Sequence, residues 1–180
     1  MHIKTILLLL ALGGCASVVT VDVKPAPQAP VCQPRSNAHV LWITQWRADQ
    51  KDVPAREAAA DEGIRKFFGT SGCFAAADIE RRAEISQSEI EARAAQNSVA
   101  VIVLTVRELG PILRIGSSAA LVEGGTEVVL EVAEYHAGRT EPRRFSVVWR
   151  DGGPGTIKGV ATLPKDMQSA LAAGLQSSPR

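Results

Sequence analysis

Apolar and polar positions alternate, cluster and repeat along this chain in patterns that mark out successive strands and helices. Val40, Trp42, Thr44 and Trp46 alternate with Leu41, Ile43 and Gln45, and both faces stay largely apolar until Arg47, which predicts a buried strand. Asp52 and Pro54 then signal a helix start, and Ala60, Ile64, Phe67 and Phe68 share one face of that helix, with Gly69 as its stop. A short strand is predicted over Cys73–Ile79. Ser86 and Ser88 each open a capping-box pattern for a helix running to about Asn97, whose apolar side carries only Ile90 and alanines. That helix should lie thinly on its neighbour.

Val99–Val106 is an unbroken β-branched run, the signature of a strand in the middle of a sheet covered on both faces. Glu127–Tyr135 alternates, as do Phe145, Val147 and Trp149, with turns at Gly124–Gly125 and Ala137–Gly138. After Pro164, residues Met167, Ala170, Leu171, Gly174 and Leu175 recur at helical spacing. The order βαβαβββα predicts an α+β fold: a two-layer domain over residues 39–175, with helices packed on a mixed sheet. Residues 176–180 read as a frayed tail.

Residues 16–38 break this regularity. Pro25, Pro27, Pro30 and Pro34 lie among small and polar residues, a composition that disfavours helix and sheet and suits a semi-extended tether. From Ala16 to Val31 such a tether could span up to about 50 Å. Its expected task is to hold the domain clear of a surface.

Before it comes a third kind of pattern. Lys4 precedes Ile6–Leu12, an entirely apolar run far shorter than the roughly 20 residues a membrane-spanning helix needs. A basic start, apolar middle and small-residue end read as a secretory signal over residues 1–14. The segment ends Leu12-Gly13-Gly14-Cys15, which resembles the lipobox of bacterial lipoproteins. That resemblance implies a diacylglycerol on the Cys15 thiol and cleavage just before it. Two or three acyl chains hold a protein firmly to a bilayer, whereas one holds it only marginally. The rival reading is ordinary cleavage near Ala16, with Cys15 discarded. Ala16 is not the Asp that marks inner-membrane retention, so the resemblance places the chain in the outer membrane, facing the periplasm.

Charge adds an exclusion. Of 20 Lys and Arg and 19 Asp and Glu, removing residues 1–14 takes only Lys4, leaving the two signs equal. A basic face for nucleic acid is not indicated. Two cysteines remain, Cys32 and Cys73. In an oxidising compartment an even pair reads as a disulfide, and neither has a neighbouring His or Cys at metal-ligand spacing.

Candidate chemistry is thin. Gly152–Gly159 has a lysine but not the spacing of a phosphate loop. Gly69-Thr70-Ser71-Gly72-Cys73 lacks the last glycine of a nucleophile elbow and runs from helix to strand, the reverse of the elbow's order. A Ser-His-Asp triad would have to use His39 or His136, both at strand ends. Trp42 and Trp46 share a strand face, so they either pack the core or form a platform for sugar or lipid. Arg107–Leu121 is either a strand continuing through a bulge at Gly110–Pro111 or a flap that docks a partner by strand addition. The expectation is a protein that is not an enzyme, with no catalytic, metal or cofactor residues.

Lipobox, Pro-rich tether and element order together resemble a loose group of envelope lipoproteins. The group includes TolB N-terminal domains, CsgG-like proteins, penicillin-binding-protein activators and the auxiliary lipoproteins of ABC-type lipid transport. The resemblance rests on His39–Arg47 and Ser98–Arg150. It implies an accessory subunit that docks an envelope protein or forms a homo-oligomer. The alternative is a lipid- or small-ligand-binding component of a transporter, which requires a deep apolar pocket beside Trp42 and Trp46.

Overall fold

The computed structural model describes residues 17–25, 29–95, 99–115, 122–139, 141–154 and 156–176, with the backbone alone for 113–115 and 122–123. Cys15 and residues 177–180 lie outside these. The chain builds β1 (Val18–Lys24), β2 (Gln33–Thr44), α1 (Val53–Thr70), β3 (Phe74–Arg81), α2 (Gln87–Ala94), β4 (Ala100–Ile115), β5 (Val122–Tyr135), β6 (Arg143–Pro154) and α3 (Leu163–Leu175). The six strands form one mixed sheet in the order β1-β6-β5-β4-β2-β3. β2 pairs in parallel with β3 and β4, and the remaining pairs are antiparallel. The α+β class and the mixed sheet are those expected.

The parallel pairs explain where the helices go. From β2 the chain steps outward through α1 to β3, then back through α2 to β4 on the far side of β2. Parallel crossovers are almost always right-handed, so two that step in opposite directions lay their helices on opposite faces. Accordingly Ile64, Phe67 and Phe68 of α1 join Trp42, Ile102 and Leu104 in the main core, while Ile90 and Ala94 of α2 join Leu41 and Val101 on the other face. The α2 contribution is thin, as its sparse apolar side predicts. Ser86 caps it, its hydroxyl accepting from the Glu89 amide at 3.1 Å.

α3 completes the main core. Met167, Ala170, Leu171 and Leu175 are all buried on the sheet side, the stripe read from their spacing. α1 and α3 approach so closely that a Cβ on Gly63 would lie 2.7 Å from the Met167 Cβ. Gly69 does not stop α1, which runs on to Thr70; the left-handed residue that turns the chain away is Gly72, at φ +65°.

Two differences matter for function. Val18–Lys24, expected to be tether, is a strand hydrogen-bonded along β6 from Val18↔Gly152 to Lys24↔Ser146. Valines at 18, 19, 21 and 23 carry strong strand preference, and the prolines that suggested a tether all lie beyond Lys24. β2 likewise begins at Gln33 and not at His39. No helix among the described residues is long and apolar enough to cross a membrane.

Candidate functional site

The cysteines meet first. Cys32 and Cys73 are bonded, with Cα atoms 4.4 Å apart. The link joins the entry to β2 to the entry to β3. Beside it the amides of Val31 and Cys32 both donate to the Leu175 carbonyl, at 3.0 and 3.1 Å, so the end of α3 is fastened to the same point.

Trp42 is fully buried in the core, whereas Trp46, two residues past the end of β2, is half-buried and packs against the core's margin. Among the described residues, the deep apolar pocket that the ligand-binding alternative requires is not formed beside the pair. Instead Trp46 lines an open cleft of about 450 Å³ together with Gln45, Arg47, Gln50, Arg107 and Glu108. Its ring N–H donates to Glu57, which Thr44 and Arg81 also engage. The Arg81 guanidinium holds the Glu57 carboxyl below its ordinary value against the opposing effect of burial.

The floor of this cleft is made by β4 beyond its partner strand. β2 stops pairing at Thr44↔Val106, so β4 runs on from Arg107 with β5 on one side only. The bulge falls between Val106 and Glu108, three residues earlier than the Gly110–Pro111 bend expected, and the strand continues to Ile115. Arg56, from the first turn of α1, reaches the open side. Its Nη1 donates to the Leu109 carbonyl at 2.5 Å and to Glu108 at 2.9 Å, and its Nε to the Lys51 carbonyl at 2.8 Å. Pro111 has no N–H to offer. A buried guanidinium and a proline therefore blunt this edge against strand addition. Sequence reasoning missed Arg56, because nothing near it in the chain points to a carbonyl 53 residues away.

β1 presents the contrasting edge. Only β6 pairs with it, its other side carries no strand among the described residues, and Val18, Val19 and Val21 are exposed. Between Val19 and Val21 and α3 lies a second cleft of about 590 Å³. Lys158 closes its inner end, bonded to Asp151 at 2.5 Å and Asp166 at 3.3 Å, with its Nζ 5.7 Å from the Trp149 ring centre. Thr162 also donates to the buried Asp166, at 3.0 Å. Burial pushes the Asp151 carboxyl up, but Lys158 and Ser17, which bond to it, with Lys165 nearby, outweigh that and hold it below its ordinary value. The lysine of the Gly152–Gly159 stretch is thus committed to carboxylates.

The remaining candidates are dispersed. His39 pairs with Asp78 at 3.2 Å and His136 with the buried Glu134 at 2.8 Å, while the Ser71 hydroxyl accepts from the Cys73 amide at 3.2 Å. Among the described residues no three His, Cys, Asp or Glu side chains gather as a metal site.

These features define a disulfide-stapled α+β domain with a guarded open stretch on β4 and a valine-rich outer strand, β1. Two solved structures are similar to it. The PelC dodecamer from Paraburkholderia phytofirmans is 16% identical, covering 88% of this chain and 98% of its own, with a TM-score of 0.46. A Xanthomonas campestris protein of the DUF330 family is 16% identical, covering 87% of this chain and 91% of its own, with a TM-score of 0.39. No family model and no curated protein matches the chain.

Proposed function

We propose that this protein is a lipid-anchored, non-catalytic accessory subunit of a cell-envelope assembly, held at the periplasmic face of the outer membrane through Cys15. The observation that carries the reading is β1: an edge strand with an open side and exposed valines, beginning three residues after the lipobox cysteine. A long open edge of strong strand formers is a ready template for pairing with another chain, and strand addition is a recurring mode of recognition. β3, the sheet's other outer strand, carries Asp78, Glu80 and Arg81, and the open stretch of β4 is guarded by Arg56, so β1 is the edge with a run of exposed valines. The partner is an envelope protein or a further copy of this chain.

Two measurements test it. Labelled palmitate should enter the wild-type chain and not Cys15→Ser, which should stay unprocessed or soluble. A photo-cross-linker at Val21 in intact cells should capture one defined partner or the chain itself. Monomer alone, with lipid on Cys15, would remove the accessory role and leave only an anchored domain.

A further inference from the structure

The position of β1 changes what the anchor does. An extended chain advances at most about 3.3–3.6 Å per residue, so the three steps from Cys15 to Val18 span no more than about 11 Å. The domain cannot stand clear of the membrane on a long tether. Whichever end of the sheet holds Val18 must lie against the lipid.

That end can be named from strand register. Val18 pairs with Gly152, Gly152 with Gly125, and Gly125 with Ile112, so one row of residues crosses β1, β6, β5 and β4. Thr156 closes onto the row, its amide donating to the Gly153 carbonyl at 3.2 Å. The next residue, Ile157, is 96% exposed, and Val18 is 59% exposed. An isoleucine side chain almost wholly in water has no packing role in the domain. Two cations nearby are engaged, Arg150 with Glu127 and Lys158 with Asp151 and Asp166.

We infer that this end of the sheet, where Ile157, Val18, Pro154 and Ile112 lie at the row and β4 and β5 run three pairs beyond it to Ile115↔Val122, docks on the bilayer and inserts apolar side chains at the headgroup–acyl boundary. The contact is carried by apolar side chains, and the two cations beside them, Arg150 and Lys158, are held by carboxylates. The inference rests on acylation of Cys15. It adds an orientation: β1 rises from the membrane, and the β5–β6 turn at Ala137–Arg139 points away from it.

The test uses the full-length, processed protein reconstituted in phosphatidylethanolamine–phosphatidylglycerol vesicles. With Cys15 acylated and Cys32 bonded to Cys73, a cysteine introduced by Ile157→Cys or, at the far end, Arg139→Cys takes a nitroxide label at one site. Collision with oxygen, which concentrates in lipid, should exceed collision with an aqueous nickel chelate at 157 and show the reverse at 139. Raising salt to about 1 M, where the Debye length shrinks to roughly 3 Å, should leave the 157 result unchanged. A water-exposed label at 157 on protein whose N-terminal peptide carries diacylglycerol would overturn the docking and leave the anchor standing. A label shielded from both reagents, with spin–spin coupling lost on dilution with unlabelled protein, would also overturn it, because a second copy then covers the patch. An N-terminal peptide without lipid would sink the anchor and the docking together.

Discussion

The Arg56 guanidinium occupies the space that a side chain on Gly110 would fill: a Cβ there would sit 1.6 Å from Nη1. Glycine at 110 thus lets a buried cation from α1 reach the Leu109 carbonyl on the open side of β4, and Glu108, with 12% of its side chain exposed, balances the charge. Gly110→Ala should destabilise the domain by roughly 1–3 kcal/mol, the usual range for forced overpacking. Arg56→Ala should cost about 3 kcal/mol or more, since Glu108 loses its buried partner. In the double variant the alanine at 110 should cost clearly less than it does alone. Additive losses in urea unfolding would show that the two residues do not share this space.

The disulfide closes a loop with a sequence separation of 41. In the chain-entropy treatment such a closure stabilises by roughly 4 kcal/mol, and replacing both Cys32 and Cys73 by serine should remove about that much. The wild type should melt lower with reductant, and the double-serine variant should be indifferent to it.

The tryptophans should separate sharply. Trp42→Ala empties a fully buried core position and should cost about 3–5 kcal/mol. Trp46→Ala, at the rim of a polar cleft, should cost far less. Equal losses in denaturant unfolding would contradict the placement of the two rings.

Acid should weaken the fold through three carboxylates. Glu57, Glu80 and Asp151 are held below their ordinary values of 4.5, 4.5 and 3.8, Glu57 by Arg81 and Glu80 by Arg93, each against burial, and Asp151 by Lys158 and Ser17 despite it. A carboxyl depressed in the folded state contributes stability that is complete above its unfolded value and is lost as pH falls through its folded value. The melting temperature should therefore be level with respect to these groups above about pH 5 and fall below it. Glu57→Gln should lower the plateau and flatten part of the acid slope; an unchanged slope would show that Arg81 does not stabilise the ionised form.

Elements whose signal is local were legible in the sequence. The stripe on α3, the β-branched run of β4 and the Ser86 cap each depend on residues within a few positions of one another, and each stands where the pattern puts it. For α1 the pattern gives the start but ends the helix early, because Gly69 and Gly72 are both plausible stops and only the backbone at 72 turns left-handed. β1 was hidden for a different reason. Its valines were averaged with the prolines that follow, and an edge strand exists only if a partner is free to receive it.

By itself, then, the sequence determined the α+β class, the cysteine pair, the helical stripes and the expectation of a lipid at Cys15, because periodicity and local chemistry encode them. Tertiary structure alone decided that Ser17 would meet Asp151 across 134 residues, that Arg56 would guard one strand edge, and that Trp42 would be buried while Trp46 was not. Each depends on which distant segment arrives alongside, and no local pattern carries that information. The same long-range pairing, Val18 with Gly152, sets the start of the sheet three residues from Cys15.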